Sequence, residues 1–334
     1  MTKKLGIPRA LFFYKYYPLW KSFFEGLGVE VIPSDSTCRK IVNDGSLSCV
    51  GEACLPIKVF FGHVENLLGR VDYIFIPRFI SISKNEYICP EIAGLPDMIK
   101  ESMEGIPDII SPEINLRKSR RGIKKAFYDS ASYFCKDSKI IKSAYREAIK
   151  NYRNYRLKVK NGYIPVWNFP ADTDEIPLKK LAEDDENTVK IGIIGHEYNL
   201  YDGYLNLNIL DKLEKRNIQV LTLEVLEEND ITSLASTLPK RMFWNFGRKA
   251  VGGTLKLIED GVVDGIIYIM SFGCGIDSFV CDIVRRKVTG HGIPFAVLSF
   301  DAHSGDAGFD TRLEAFLDII GRGSADDTDL SAFG

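Results

Sequence analysis

The sequence has no apolar run long enough to span a bilayer, so no membrane crossing is expected. It has little net charge. A formal value of -2 over 334 residues gives no global field for nucleic acid or an anionic lipid surface, and neither partner is expected. It contains no G-x-x-x-x-G-K-S/T and no G-x-G-x-x-G, which removes the usual grounds for intrinsic ATP or NAD binding. The opening "MTKKLGIPRALFFYKYYPLW" is basic near its start. It has neither a sustained apolar core nor a small-residue cleavage site, so no signal peptide is read and the cytoplasm is the expected compartment. C-x-x-C spacing is missing too, which argues against a zinc ribbon or a thioredoxin-like site. No Ser-His-Asp arrangement stands out.

What is present is an internal repeat. "KLGIPRALFFYKYYPLWKSFFEGLGVEVIP" begins at Lys4 and "KIGIIGHEYNLYDGYLNLNILDKLEKRNIQVLT" at Lys190. Each reads as a short apolar strand with Gly, an aromatic turn, an amphipathic helix and a β-branched strand. "GRVDYIFIPRFIS" at Gly69 answers "GVVDGIIYIMSFG" at Gly261. The offsets are 186 residues for Gly6 and Gly192, and 192 for Asp72 and Asp264, as two copies of one βαβ-type unit require. Strands alternating with helices imply parallel sheets. The expected fold is α/β, with two Rossmann-like doubly wound domains at 1–115 and 188–325. A basic helical segment and acidic linker at 116–187 join them, and a small-residue tail follows at 326–334. In the basic segment Tyr145 and Tyr152, seven apart, share a helix face.

Two of the seven cysteines stand where ligands bind in open α/β sheets, outside the carboxyl ends of strands, and a third sits at a probable loop-to-helix junction. Cys89, in "YICPEIAGLPDM", follows the strand expected near Val71–Pro77. Cys274, in "MSFGCGIDSF", follows the strand expected at Gly265–Met270 in the other half. Cys54 lies in "GEACLPIKVFFGHV". Pro56 and Pro90 mark helix starts beside two of them, and Gly273 and Gly275 flank the third. Backbone N–H groups at a helix start stabilise a thiolate and any anionic cluster on it. The other reading is three buried packing thiols. Cys38 and Cys49, within sixteen residues of Cys54, are candidate ligands of a larger cluster or incidental. Cys135 and Cys281 read as packing residues.

Other polar motifs stay open. His63 either reaches toward a cluster or is a satisfied helix residue. "SFDAHSGDAGFDTRLEAF" puts Asp301 and His303 after a strand, either as acid–base groups or as a polar loop before a helix capped by Asp310 or Thr311. His196 and Glu197 in "HEYNLYD" are candidates for substrate or inter-domain contact. Trp244 and Arg248 in "FWNFGRKAVGG" either meet a partner or open a helix.

Taken in order, "GIPRALFFYKYYPLWKSFFEGLGVEV", "GEACLPIKVFFGHV", "VDYIFIPR", "EYICPEIAGLPDM", "HEYNLYDGYLN", "GIIYIMSFGCGIDS" and "DAHSGDAGFDTRLEAF" resemble the activase-related family of 2-hydroxyacyl-CoA dehydratase proteins, over nearly the whole chain. The resemblance implies Rossmann-like domains carrying an iron–sulfur cluster. It implies Cys54, Cys89 and Cys274 as ligands of a 4Fe–4S cubane with one iron open to a small-molecule substrate. Related double-cubane proteins use six cysteines for an 8Fe–9S cluster, which would draw in Cys38 and Cys49. It further implies a separate ATP-hydrolysing activase as electron donor, and a homodimer or a heterodimer with a homologous subunit. Three functions follow in order: an oxygen-sensitive reductase or dehydratase component, a non-catalytic cluster-carrying subunit, and a zinc-binding or metal-free α/β binding protein.

Overall fold

The computed structural model describes residues 2–117, 121–167, 169, 173, 176–180, 188–301 and 306–323. The first half runs β1 (Lys4–Ile7), α1 (Phe13–Glu25), β2 (Glu30–Pro33), α2 (Arg39–Ser48), α3 (Leu55–Leu67), β3 (Tyr73–Phe75), β4 (Arg78–Ser81), α4 (Pro90–Ser102), β5 (Asp108–Ile110) and β6 (Glu113–Asn115). The middle holds α5 (Arg121–Ala131), α6 (Ser138–Lys160), β7 (Tyr163–Pro165) and β8 (Leu178–Lys180). The second half runs β9 (Lys190–Ile194), α7 (Glu197–Tyr201), α8 (Ile209–Glu214), β10 (Gln219–Thr222), α9 (Glu228–Ala235), α10 (Asn245–Asp260), β11 (Gly265–Ser271), α11 (Gly275–Thr289), β12 (Phe295–Phe300) and α12 (Asp306–Gly323).

Two four-stranded parallel sheets result, ordered β2-β1-β3-β5 and β10-β9-β11-β12. Both place the first strand of the repeat second from one edge, so the α/β doubly wound expectation holds. The repeat extends to single bonds. Lys4 N–H donates to Asp72 Oδ2 at 2.8 Å, and Lys190 N–H donates to Asp264 Oδ2 at 2.7 Å. A Cβ on Gly6 would meet Leu67 Cδ1 at 3.0 Å, and one on Gly192 would meet Leu257 Cδ1 at the same distance. Each central strand therefore lacks a side chain where a helix leucine presses down on it.

The aromatic run of α1 becomes the main packing face. Tyr17, Trp20, Phe23 and Phe24 are buried, and Phe127 of α5 meets Trp20 and Phe23 at ring-centroid distances of 4.5 and 4.6 Å. Tyr145 of α6 lies 4.9 Å from Phe127, and Tyr152 lies 6.1 Å from Tyr16. The basic helix thus covers the first half with its tyrosine face and turns most of its lysines outward. Part of the acidic linker pairs as an antiparallel ribbon of β7 and β8; its residues 181–187 lie outside the described residues.

One buried apolar cluster continues from the first sheet through Tyr198, Leu200 and Tyr201 to β9. The halves are also strapped together. Tyr87 N–H donates to the Phe243 carbonyl at 3.1 Å, Asn245 N–H donates to the Tyr87 carbonyl at 3.0 Å, and the two rings stack at 4.6 Å. Beside this strap, buried Glu86 accepts from Arg248 Nε at 2.6 Å. Arg248 therefore closes an ion pair between the halves, and its other arm reaches Glu228.

Candidate functional site: three helix starts facing one point

Cys54, Cys89 and Cys274 are the residues immediately before α3, α4 and α11. In α3 and α4 a proline sits in the first turn, where its missing N–H leaves no bond unmade. The third helix start is shaped by Gly273, at φ +82°, a conformation that disfavours a side chain. A Cβ there would point at Cys54 Cα from 3.9 Å, so the loops of the two halves touch.

The three thiols lie close enough to act on one another. Burial pushes all three pKa values up, Cys274 to about 12. Charge on Cys274 and Cys89 raises Cys54 further, and Cys89 raises Cys274. Backbone N–H groups oppose this: Ile57 at Cys54, Ile92 and Glu91 at Cys89, and Asp277, which donates to Cys274 Sγ at 3.4 Å. A thiol kept neutral in this way is a poor nucleophile at neutral pH. A bound cation reverses the balance and deprotonates it. Burial beside three helix starts suits metal ligands better than it suits a nucleophile.

Around the cysteines stand Tyr198 and Asp277, which the sequence reading did not single out, and His196, which it did. Tyr198 is buried, and its hydroxyl is pushed up first by burial and then by Asp277, Cys274, Cys54 and Cys89 together. Asp277 is fully buried; burial raises it to about 7, while its Oδ1 accepts from Tyr268 at 3.0 Å. His196 is clamped between Phe246 and Tyr198, with ring centroids 3.6 and 4.6 Å away. Burial lowers its pKa to about 3, so the ring is neutral. Among the described residues, His196, Cys274 and Asp277 form a trio whose ligand atoms all lie within 4.8 Å of one another. A small cavity of about 40 Å³ leads away from Cys89 between Phe12, Trp244, Phe246 and Ile276.

The remaining candidates stand elsewhere. Cys38 is exposed before α2, and Cys49 is half-buried at its far end, near Lys58 and Glu91. Ten helical residues separate them, a length of about 15 Å. Cys281 is buried on α11, and Cys135 lies in the middle segment with its Sγ 3.8 Å from the Asp137 carbonyl. His63 is fully buried, with Nδ1 2.9 Å from Ser34 Oγ and Nε2 3.0 Å from Thr37 Oγ1. Both ring nitrogens are therefore occupied away from the cysteines. Asp301 follows β12 at the same sheet edge as Cys274 and is exposed. His303 lies outside the described residues. Helix α12 starts at Asp306, so Asp310 and Thr311 fall inside it and neither caps it. Glu197 is buried between Lys15 at 2.9 Å and Lys249 at 3.1 Å, which hold its carboxyl well below the usual range against burial.

Fold and site define a two-part α/β protein whose halves jointly present three cysteines at helix starts. Residues 4–226 match the CoA enzyme activase uncharacterised domain (DUF2229), and residues 206–320 match the 2-hydroxyglutaryl-CoA dehydratase, D-component. The chain belongs to this activase- and dehydratase-related family, and the resemblance read from its motifs is borne out. It is also 28% identical over 233 residues to a polyribonucleotide nucleotidyltransferase of Buchnera aphidicola subsp. Baizongia pistaciae (strain Bp). That stretch is 67% of this chain and 29% of that protein, so the chain spans less than a third of the curated relative it matches. Among the described residues no helix is long and apolar enough to cross a membrane.

Proposed function

We propose that Cys54, Cys89 and Cys274 hold an iron–sulfur cluster in the cleft between the halves. In this reading the protein is the reductase or dehydratase component of a system driven by a separate ATP-hydrolysing activase. The observation that carries the proposal is the convergence of three helix-start thiols, drawn from both halves, within electrostatic reach of one another and of the Tyr198 hydroxyl. Three thiols drawn from both halves are the ligand type of an iron–sulfur cluster. Such a group supplies single low-potential electrons, with a potential set by charge, hydrogen bonds and burial.

The chain's own residues do the rest. Phe12, Trp244, Phe246 and Ile276 narrow the cavity that reaches Cys89. The N–H groups of Ile57, Ile92 and Asp277 offset thiolate charge. His196 and Tyr198 are polar groups able to position a substrate oxygen. We favour one cubane over a double cluster, because the length of α2 keeps Cys38 and Cys49 from reaching one point together. The match to a D-component supports a role beside a homologous subunit.

Purification without oxygen, followed by iron and acid-labile sulfide analysis and EPR, tests this. About four irons per chain is expected; about eight would replace the single cubane with the double one. Cys54→Ser, Cys89→Ser and Cys274→Ser should each lose iron, and Cys135→Ser should not. A colourless protein after iron and sulfide reconstitution, or one holding a single zinc on His196, Cys274 and Asp277, overturns the reading. Turnover by the purified chain alone would rule out an obligate subunit role.

A further inference from the structure

A cavity of about 610 Å³ adjoins the small one beside Cys89; Lys15, Ile82, Asn245 and Lys249 line both. Its wall carries five cations, Lys15, Lys84, Arg156, Arg248 and Lys249. Nearby carboxylates already serve three of them. Lys15 is on Glu197, Lys249 is on Glu197 and Glu224, and Arg248 is on Glu86 and Glu228. Lys84 is exposed and hydrated.

Arg156 is different. It is half-buried at the cavity wall. Glu224 and Glu197 favour its charge, yet among the described residues no carboxylate or carbonyl is bonded to it. Its flat fork matches a carboxylate or phosphate through two parallel bonds. Tyr16 and Tyr152 line the same cavity, and among the described residues neither hydroxyl has a hydrogen-bond partner. Burial raises both phenols, so each remains an O–H donor across the physiological range. One charged fork and two free hydroxyls therefore share a chamber with room for a small molecule.

We propose that this cavity binds an oxyanion, a phosphate or a carboxylate group, on Arg156 with the hydroxyls of Tyr16 and Tyr152. Anion binding stands on the cavity alone. Its use as the anchor for a substrate reaching toward Cys89 rests on the reading given under Proposed function.

The test is calorimetric titration of the 334-residue, iron-free chain at low ionic strength, with inorganic phosphate in one arm and butyrate in the other. Saturable binding of either is expected, and the tighter arm names the group. Arg156→Gln should weaken binding by about tenfold or more, the loss that follows removal of a charge-assisted bond. Tyr16→Phe and Tyr152→Phe should each weaken it by a few-fold. If Arg156→Gln does not fold, the tyrosine variants carry the test, because they keep the packed rings. No binding of either anion to the wild type, or wild-type binding by the variants, overturns the proposal. Because the protein is iron-free, failure of the cluster reading leaves this result standing.

Discussion

Helices α2 and α3 approach so closely that two mid-helix glycines become sign-changing test sites. Ala is ordinarily favoured over Gly inside a helix by about 1 kcal/mol. At Gly62 a Cβ would lie 1.9 Å from the Ile41 carbonyl oxygen, and at Gly45 another would lie 1.9 Å from the Lys58 carbonyl oxygen. Real Cβ contacts essentially never fall under 3.0 Å, so the helices would have to part by about 1.1 Å. Overpacking of this kind costs about 1–3 kcal/mol, and backbone on both sides leaves no flexible end to yield. At the upper end of that cost Gly62→Ala should destabilise by about 2 kcal/mol net, lowering the thermal midpoint by about 3 °C for a chain of this size. Gly94 of α4 is the control. A Cβ there meets nothing within 4 Å, so Gly94→Ala should stabilise by up to about 1 kcal/mol. Thermal unfolding followed by circular dichroism reads both. If Gly62→Ala is as stable as wild type, the helix contact that positions Cys54 is not the one described.

Glu86→Gln leaves buried Arg248 facing a neutral amide and should destabilise by about 3 kcal/mol in urea unfolding; a change under about 1 kcal/mol would mean the strap between the halves does not depend on that pair. His63 is kept neutral by burial, with its pKa lowered from 6.5 to about 3. Between those values the unfolded chain binds a proton that the fold refuses. Stability should then fall as pH drops from about 6.5 toward 3, by up to about 1.4 kcal/mol per pH unit. His63→Gln should flatten that slope by one proton, and an unchanged slope in urea titrations at several pH values refutes the assignment. Cys281→Ala should reduce stability by about 1 kcal/mol, as a small buried group does, while leaving iron content unchanged.

The fold was legible wherever period and spacing carry physical meaning. Gly6 and Gly192 sit under matching leucines, and Asp72 and Asp264 accept matching bonds, so the repeat was written in residues with the same job twice. Pro56 and Pro90 correctly marked the starts of α3 and α4. The two-stranded pairs β4-β6 and β7-β8 were not legible, because three- and four-residue strands leave too little alternation to count. Asp277 stood in plain view three residues after Cys274. Its importance comes from complete burial, which a single acidic letter does not reveal. Tyr198 was hidden among many tyrosines, and only the docking of the halves sets its hydroxyl beside all three cysteines. Arg248 read either as a partner contact or as part of a helix opening; it lies in the first turns of α10, and its counterpart Glu86, 162 residues away in the other half, could not be read from the sequence.

The cysteines divide two to one between the halves, Cys54 and Cys89 on one side and Cys274 on the other. Any swing that widened the cleft would draw Cys274 away from the other two before it admitted a molecule. The straps at Tyr87–Trp244 and Glu86–Arg248 resist the same swing. In the reading proposed above, passage through the small cavity at Cys89 would then depend on the turning of single rings, such as Trp244 and Phe246 at its neck, and less on a hinge. Ring and rotamer turns are local events, faster than the microsecond-to-millisecond closure of whole domains. The architecture gives up a wide mouth for a gate that opens one side chain at a time.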